Sequence, residues 1–166
     1  MAKSLFELCA VREAIKPQTM GSARSGDWVS LENYEGCLIE IHIAQGHASG
    51  STITVDKATA VAGTNESTGI TLANWWKLED TPTTTANFTK GASAASISTS
   101  ATGSGSSIYL IDIKAAELVA AHSDGTSYDC IQLEAGSSNA SNVLSAVYHL
   151  YGARYPQQNP ANAITD

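Results

Sequence analysis

Four histidines, three cysteines and many hydroxyls supply residue types for nucleophilic, acid–base and metal chemistry, so their spacing decides which is open to the chain. His122-Ser123-Asp124 sets the three catalytic-triad types side by side. Adjacency in sequence does not build a triad, because base, orienter and nucleophile must converge in space. Followed by Gly125, the trio predicts a turn. Gly46-His47-Ala48-Ser49-Gly50 has the wrong spacing for a G-x-S-x-G nucleophile elbow, and it joins two predicted strands rather than a strand and a helix. Gly103-Ser104-Gly105 lacks the third glycine, the following helix and the lysine of a phosphate-cradling loop.

Metal chemistry has no better spacing. His42 and His47 are separated by a strand end and its turn, so they need not face the same way, and His122 falls in a loop. The close H-x-H pair of a cupin-type metal barrel is missing, and His149 reads as a strand residue with a satisfied hydrogen bond. Cys9, Cys37 and Cys130 are odd in number, far apart and without a C-x-x-C. Cys37 and Cys130 sit in apolar runs and read as small buried hydrophobes rather than ligands or disulfide partners. Asn65, Asn87 and Asn139 open Asn-x-Ser/Thr triplets, which chance supplies in so hydroxyl-rich a chain. The expectation is no catalytic residue, no metal and no cofactor.

Aromatic residues are the remaining functional candidates. In a strand, Trp75-Trp76 would place one ring in the core and the other on the surface, as a sugar-stacking platform or an interface anchor. Near the end, Tyr148 and Leu150 share one parity while Tyr151, Ala153 and Tyr155 share the other, with Arg154 beside them. With Trp28, these residues make the candidate interface set: Trp28, Trp75, Trp76, Tyr148, Tyr151, Arg154 and Tyr155.

The elements that must position them are strands. Residues 37–43 alternate cleanly, with Cys37, Ile39, Ile41 and Ile43 on one face and Leu38, Glu40 and His42 on the other. A break at 45–50 leads to another alternating run at 51–56, and the pair reads as a β-hairpin. Further strands are expected at 6–15, stopping at Lys16-Pro17, and at 28–31, 70–78, 86–89, 107–113, 128–133 and 142–151. Residues 114–121 are the one helical stretch. Residues 91–107 carry no charge and read as a mobile loop, or as an arm ordered against a neighbouring subunit. The expected architecture is an all-β antiparallel sandwich or jelly roll of about eight strands with one short helix. It comprises a single domain over 1–155 and an extended tail over 156–166.

Composition agrees. The chain has 166 residues, of which 36 are serine or threonine and only 15% are charged, a balance that suits strands better than surface helices. A chain of this length buries about 70% of its unfolded surface and needs no disulfide or metal to fold. Nine basic against 16 acidic residues, a net charge of −7, argue against nucleic acid or an anionic membrane as partner. No run is long enough to span a bilayer as a helix. Glu7 and Arg12 interrupt the stretch where an export signal needs apolar residues, so synthesis in the cytoplasm is expected. The low charge also suggests a surface partly covered in the working state.

Several segments carry a resemblance: Lys3-Ser4-Leu5-Phe6, Pro17-Gln18-Thr19, Asp27-Trp28-Val29-Ser30-Leu31-Glu32-Asn33-Tyr34, Thr59-Ala60-Val61-Ala62-Gly63, Tyr128-Asp129-Cys130-Ile131 and Gly152-Ala153-Arg154-Tyr155. Together they resemble a group of small virion structural proteins of tailed bacteriophages, most like a capsid cement or decoration protein. The resemblance implies a β-sandwich or jelly-roll body on the capsid exterior. It also implies the major capsid protein as partner, self-association as a homo-oligomer, commonly a trimer, and no catalytic residues. Residues 91–107 have no counterpart in it. A low-copy neck, tail or head-fibre protein and a carbohydrate-binding module are the alternative expectations.

Overall fold

The structure, a computed structural model, describes residues 9–80, 87–101, 105–118 and 122–154. The start of the first expected strand, Tyr155 and the expected tail lie outside the described residues. Two antiparallel sheets pack face to face. The first has the order β1 (Cys9–Thr19), β11 (Val143–Tyr151), β4 (Gly36–Gln45), β9 (Gly105–Lys114), β6 (Trp75–Asp80), β7 (Thr89–Lys90). The second has the order β2 (Arg24–Ser25), β10 (Cys130–Ala135), β5 (Thr52–Ala58), β8 (Ile97–Ser98), with β3 (Val29–Ser30) also paired to β10. The all-β sandwich read from the alternation is the architecture observed.

One buried cluster fills the space between the sheets. The first sheet contributes Cys37, Ile39, Ile41 and Ile43 from β4, Tyr109, Ile111 and Ile113 from β9, and Leu144, Ala146, Tyr148 and Leu150 from β11. The second contributes Ile53 and Val55 from β5 and Ile131, Leu133 and Ala135 from β10. Each large aliphatic chain withdrawn from water contributes about 1.5–3 kcal/mol, so this seam is the main source of stability. Cys37 is a buried free thiol within it, and Cys130 is buried and free outside that cluster, both as expected of small hydrophobes. Burial pushes the Cys130 thiol up to about 12, so it stays protonated and unreactive.

Four expectations change. Residues 37–43 and 51–56 do not form a hairpin: β4 pairs with β11 and β9, while β5 lies in the other sheet beside β10. Both strands turn their apolar residues to one shared core, and alternation specifies the buried face rather than the neighbouring strand. Asn142, 1% exposed, fixes the crossover. Its Oδ1 accepts the amides of Gly46 and His47 at 3.0 and 2.9 Å, and its Nδ2 donates to the Ser49 carbonyl at 2.9 Å.

β1 does not stop at Lys16-Pro17 but runs to Thr19. It is an edge strand, and its register to β11 shifts between Glu13 and Ile15 and again between Ile15 and Gln18. An edge with bulges is where a proline without an N–H is tolerated. Residues 91–101 are not an arm reaching outward. Ile97, 1% exposed, lies opposite Ile53, and the Ser100 amide donates to the Tyr109 hydroxyl at 3.0 Å. Residues 102–104 are outside the described residues. The helical stretch is a four-residue 3-10 turn, Ala115–Leu118, anchored by buried Leu118, and 119–121 are outside the described residues.

Candidate protein-binding surface

The triad-like trio is a turn, as its spacing predicts. The Gly125 amide donates to the His122 carbonyl at 2.8 Å, and the Thr126 amide donates to Asp124 Oδ1 at 2.9 Å. The Thr126 bonds, followed by His122 Nδ1 at 3.1 Å, hold the exposed Asp124 carboxyl down at about 2. His42 and His47 do diverge: His47 bonds Ser49 Oγ within its loop, while His42 lies on the outward face of β4. Among the described residues, no group of three or more His, Cys, Asp or Glu side chains could hold a metal ion.

The candidate interface residues separate into distinct environments. Tyr148 belongs to the core and leaves the surface set. It is fully buried, its hydroxyl accepting the Leu133 amide at 2.8 Å and donating to the Asp27 carbonyl at 3.1 Å. Parity alone could not show that this ring spans the sandwich. Trp28 is half-buried against Gly63, where a Cβ would come within 2.9 Å of the indole nitrogen and a φ of +71° also favours glycine. Trp75 and Trp76 do point to opposite faces, yet both are half-buried. Trp75 packs on the core, lies over Gly91 and donates from Nε1 to the Ala92 carbonyl at 2.8 Å. Arg154 is exposed, and Tyr155 is outside the described residues.

Trp76 and Tyr151 remain on the outward face of the first sheet, and register builds a surface around them. Trp76 lies opposite Leu110, and Leu78 opposite Ile108. Leu110 and Ile108 in turn lie opposite Glu40 and His42 of β4. Cross-strand partners project from the same face, so Trp76, Leu78, Ile108 and Leu110 form one apolar patch of half-buried side chains. Phe88, 47% exposed, precedes β7 at that edge of the sheet.

Glu40, Asp112 and Lys114 on this face are paired within the chain, while Glu13, opposite Val147, is exposed. Glu40 lies between two imidazoles, Oε1 at 2.8 Å from His42 Nε2 and Oε2 at 2.9 Å from His149 Nε2. The His42 bond is the main cause that lowers the Glu40 carboxyl below its ordinary range. His149 thus has the satisfied hydrogen bond expected of it. Asp112 accepts the Tyr151 hydroxyl at 2.6 Å and pairs with Lys114 at 3.1 Å. Lys114 also donates to the Tyr151 hydroxyl and lies 4.7 Å from that ring centroid. Lys90 stands 5.7 Å from the Trp76 ring centroid and bonds Asn74 Oδ1 at 3.2 Å.

The outward face of the second sheet is different in kind. An open groove of about 810 Å³ is lined by hydroxyls and by Asp56, Glu66 and Glu134, with no basic residue among its lining. Burial, then the neighbouring Asp56 and Glu66 carboxylates, push the Glu134 carboxyl up. Asp56 accepts the Gly69 amide and Glu134 the Ser25 hydroxyl, bonds that serve the fold.

Sequence reasoning did not single out Leu78, Phe88, Ile108 or Leu110. The available signal was β9 itself: Ile108 to Ile113 is apolar on both parities except at Asp112, the pattern of a strand covered on two sides. No family model, curated protein or solved structure matches the chain.

Proposed function

We propose that the chain is a non-enzymatic cement, or decoration, protein of a tailed-bacteriophage capsid. It binds the outer surface of the mature shell, with the major capsid protein as partner, and clamps neighbouring capsomers as a homo-oligomer. The observation that carries the reading is the outward face of the first sheet, an apolar patch beside which Glu40 and Asp112 are paired within the chain. Such a face suits burial against protein, because little charge has to be desolvated. Trp76 continues into Leu78, Leu110 and Ile108, an apolar surface broader than one stacking ring, which favours protein over glycan as ligand. The virion-protein resemblance of the segments around Trp28, Tyr128 and Arg154 supplies the assembly.

Function then follows from linkage. A ligand that binds only the mature lattice stabilises it by mass action, and many copies of a modest contact act together. The test is to strip the protein from capsids, add it back and challenge the particles with heat. Restored resistance on rebinding is expected; equal resistance with and without the protein contradicts the reading.

A further inference from the structure

We propose that docking of the outward face of the first sheet is coupled to protons through Glu40, His42 and His149: the face binds most tightly when one of the two imidazoles is protonated. The inference rests on the reading that this face is the capsid contact and adds what regulates it.

Geometry sets the charge states. Glu40 Oε1 lies 2.8 Å from His42 Nε2 and Oε2 lies 2.9 Å from His149 Nε2, so one carboxylate serves two imidazoles. Imidazole is the side chain that ordinarily changes charge between pH 5 and 8. Donation from Nε2 to the carboxylate leaves Nδ1 of each ring as the atom that takes up a proton. The bridge therefore persists while its charge changes. With both rings neutral the trio carries one negative charge, with one ring protonated it carries none, and with both it carries one positive charge. Hydrogen bonds satisfy Glu40 in every state, but only protonation cancels its charge.

Position makes that charge count. β4 is third of six strands and Glu40 lies opposite Leu110, so a contact over the apolar patch also withdraws the trio from water. Taking a net charge out of water costs more than taking a neutral, hydrogen-bonded group. The neighbouring groups do not cancel the charge. On β9 Asp112 and Lys114 pair with each other, and Tyr151 of β11 bonds both. β1 brings Cys9 opposite Tyr151 and exposed Glu13, a second negative charge, while Lys90 of β7 stands beside Trp76. β1 and β7 are the two edges of the sheet, where charges keep their water at the rim of a contact. Near neutrality the complex thus holds more protons than the free protein, and affinity rises as pH falls until the second imidazole charges.

Rebinding of the full chain to capsids stripped of it, measured as an apparent Kd at pH 8, 7 and 6, tests this. Wild-type affinity should rise by about tenfold from pH 8 to pH 6, within the limit of about tenfold per pH unit for one proton. Glu40→Gln removes the negative charge but keeps both rings, so the same protons now add net charge and affinity should fall as pH falls. The double variant His42→Gln, His149→Gln keeps donors beside Glu40 that do not titrate. It should bind with little pH dependence of its own, and it reports any titration of the capsid. Near-UV circular dichroism at each pH checks folding. If one variant does not fold, the other decides, since a titrating capsid would move wild type and variant in the same direction. A wild-type profile that matches the double variant, or a Glu40→Gln slope of wild-type sign, overturns the proposal and leaves the capsid reading standing. No rebinding at any pH overturns both.

Discussion

Tyr148 of β11 reaches across the core to Leu133 of β10, its hydroxyl accepting that residue's amide at 2.8 Å. A side chain of one sheet thereby satisfies the backbone of the other, and the Asp27 carbonyl takes the hydroxyl proton at 3.1 Å. Burial raises the Tyr148 phenol far above its ordinary range, so it stays neutral and able to donate.

Tyr148→Phe keeps the ring but leaves the Leu133 amide and the Asp27 carbonyl without this partner. Asp27 is exposed, so its carbonyl turns to water and the buried Leu133 amide carries the cost, about 1–3 kcal/mol in urea unfolding with no change in the slope against urea. A loss below about 0.5 kcal/mol would mean that the Tyr148 hydroxyl contributes little to joining the two sheets.

Asn142 ties the 46–49 crossover to the loop before β11, adding a bond from Nδ2 to Ser138 Oγ at 3.0 Å. Asn142→Ala removes all of its side-chain bonds at a buried site and should cost about 2–4 kcal/mol. Amide exchange should rise most at Gly46 and His47, whose N–H groups lose their acceptor. Uniform exchange changes across both sheets would contradict a local role.

Two carboxylates should respond to pH with opposite signs. The Glu40 carboxyl is lowered by His42 and His149, so its contribution is present above the unfolded value and is lost as pH falls through the folded one. Glu40→Gln should therefore destabilise at neutral pH and lose its effect in acid, by under about 1 kcal/mol because the site is half-exposed. The Glu134 carboxyl is raised, so the folded state is relatively favoured below the unfolded value, and that advantage is lost as pH rises through the folded one. Glu134→Gln should stabilise at neutral pH and be silent in acid. Urea midpoints at neutral pH and near pH 3 test both; matching signs would contradict the assigned environments.

Much of the fold was legible because half-buried strands write their inner face into every second residue, as in Cys37, Ile39, Ile41 and Ile43. Pairing was less legible, since the same alternation serves a hairpin or a crossover; the bonds of Asn142 with Gly46 and His47 distinguish them across about a hundred residues. β8 escaped notice because two residues in an uncharged stretch carry no period, and only Ile97 marks its burial. At the site, Trp76 was legible as a large ring of outward parity. Leu110 and Ile108 were hidden by their strand's strength as core: a run apolar on both faces hides which face meets a partner. The Glu40 bridge joins residues 109 apart and has no local signature.

The most direct test of capsid decoration is the number of copies of this chain per major capsid protein in purified virions. A site repeated over the lattice predicts a ratio from roughly one third to one. A ratio of about a few per hundred, as a neck, tail or vertex component would give, or absence from the particle, would contradict it.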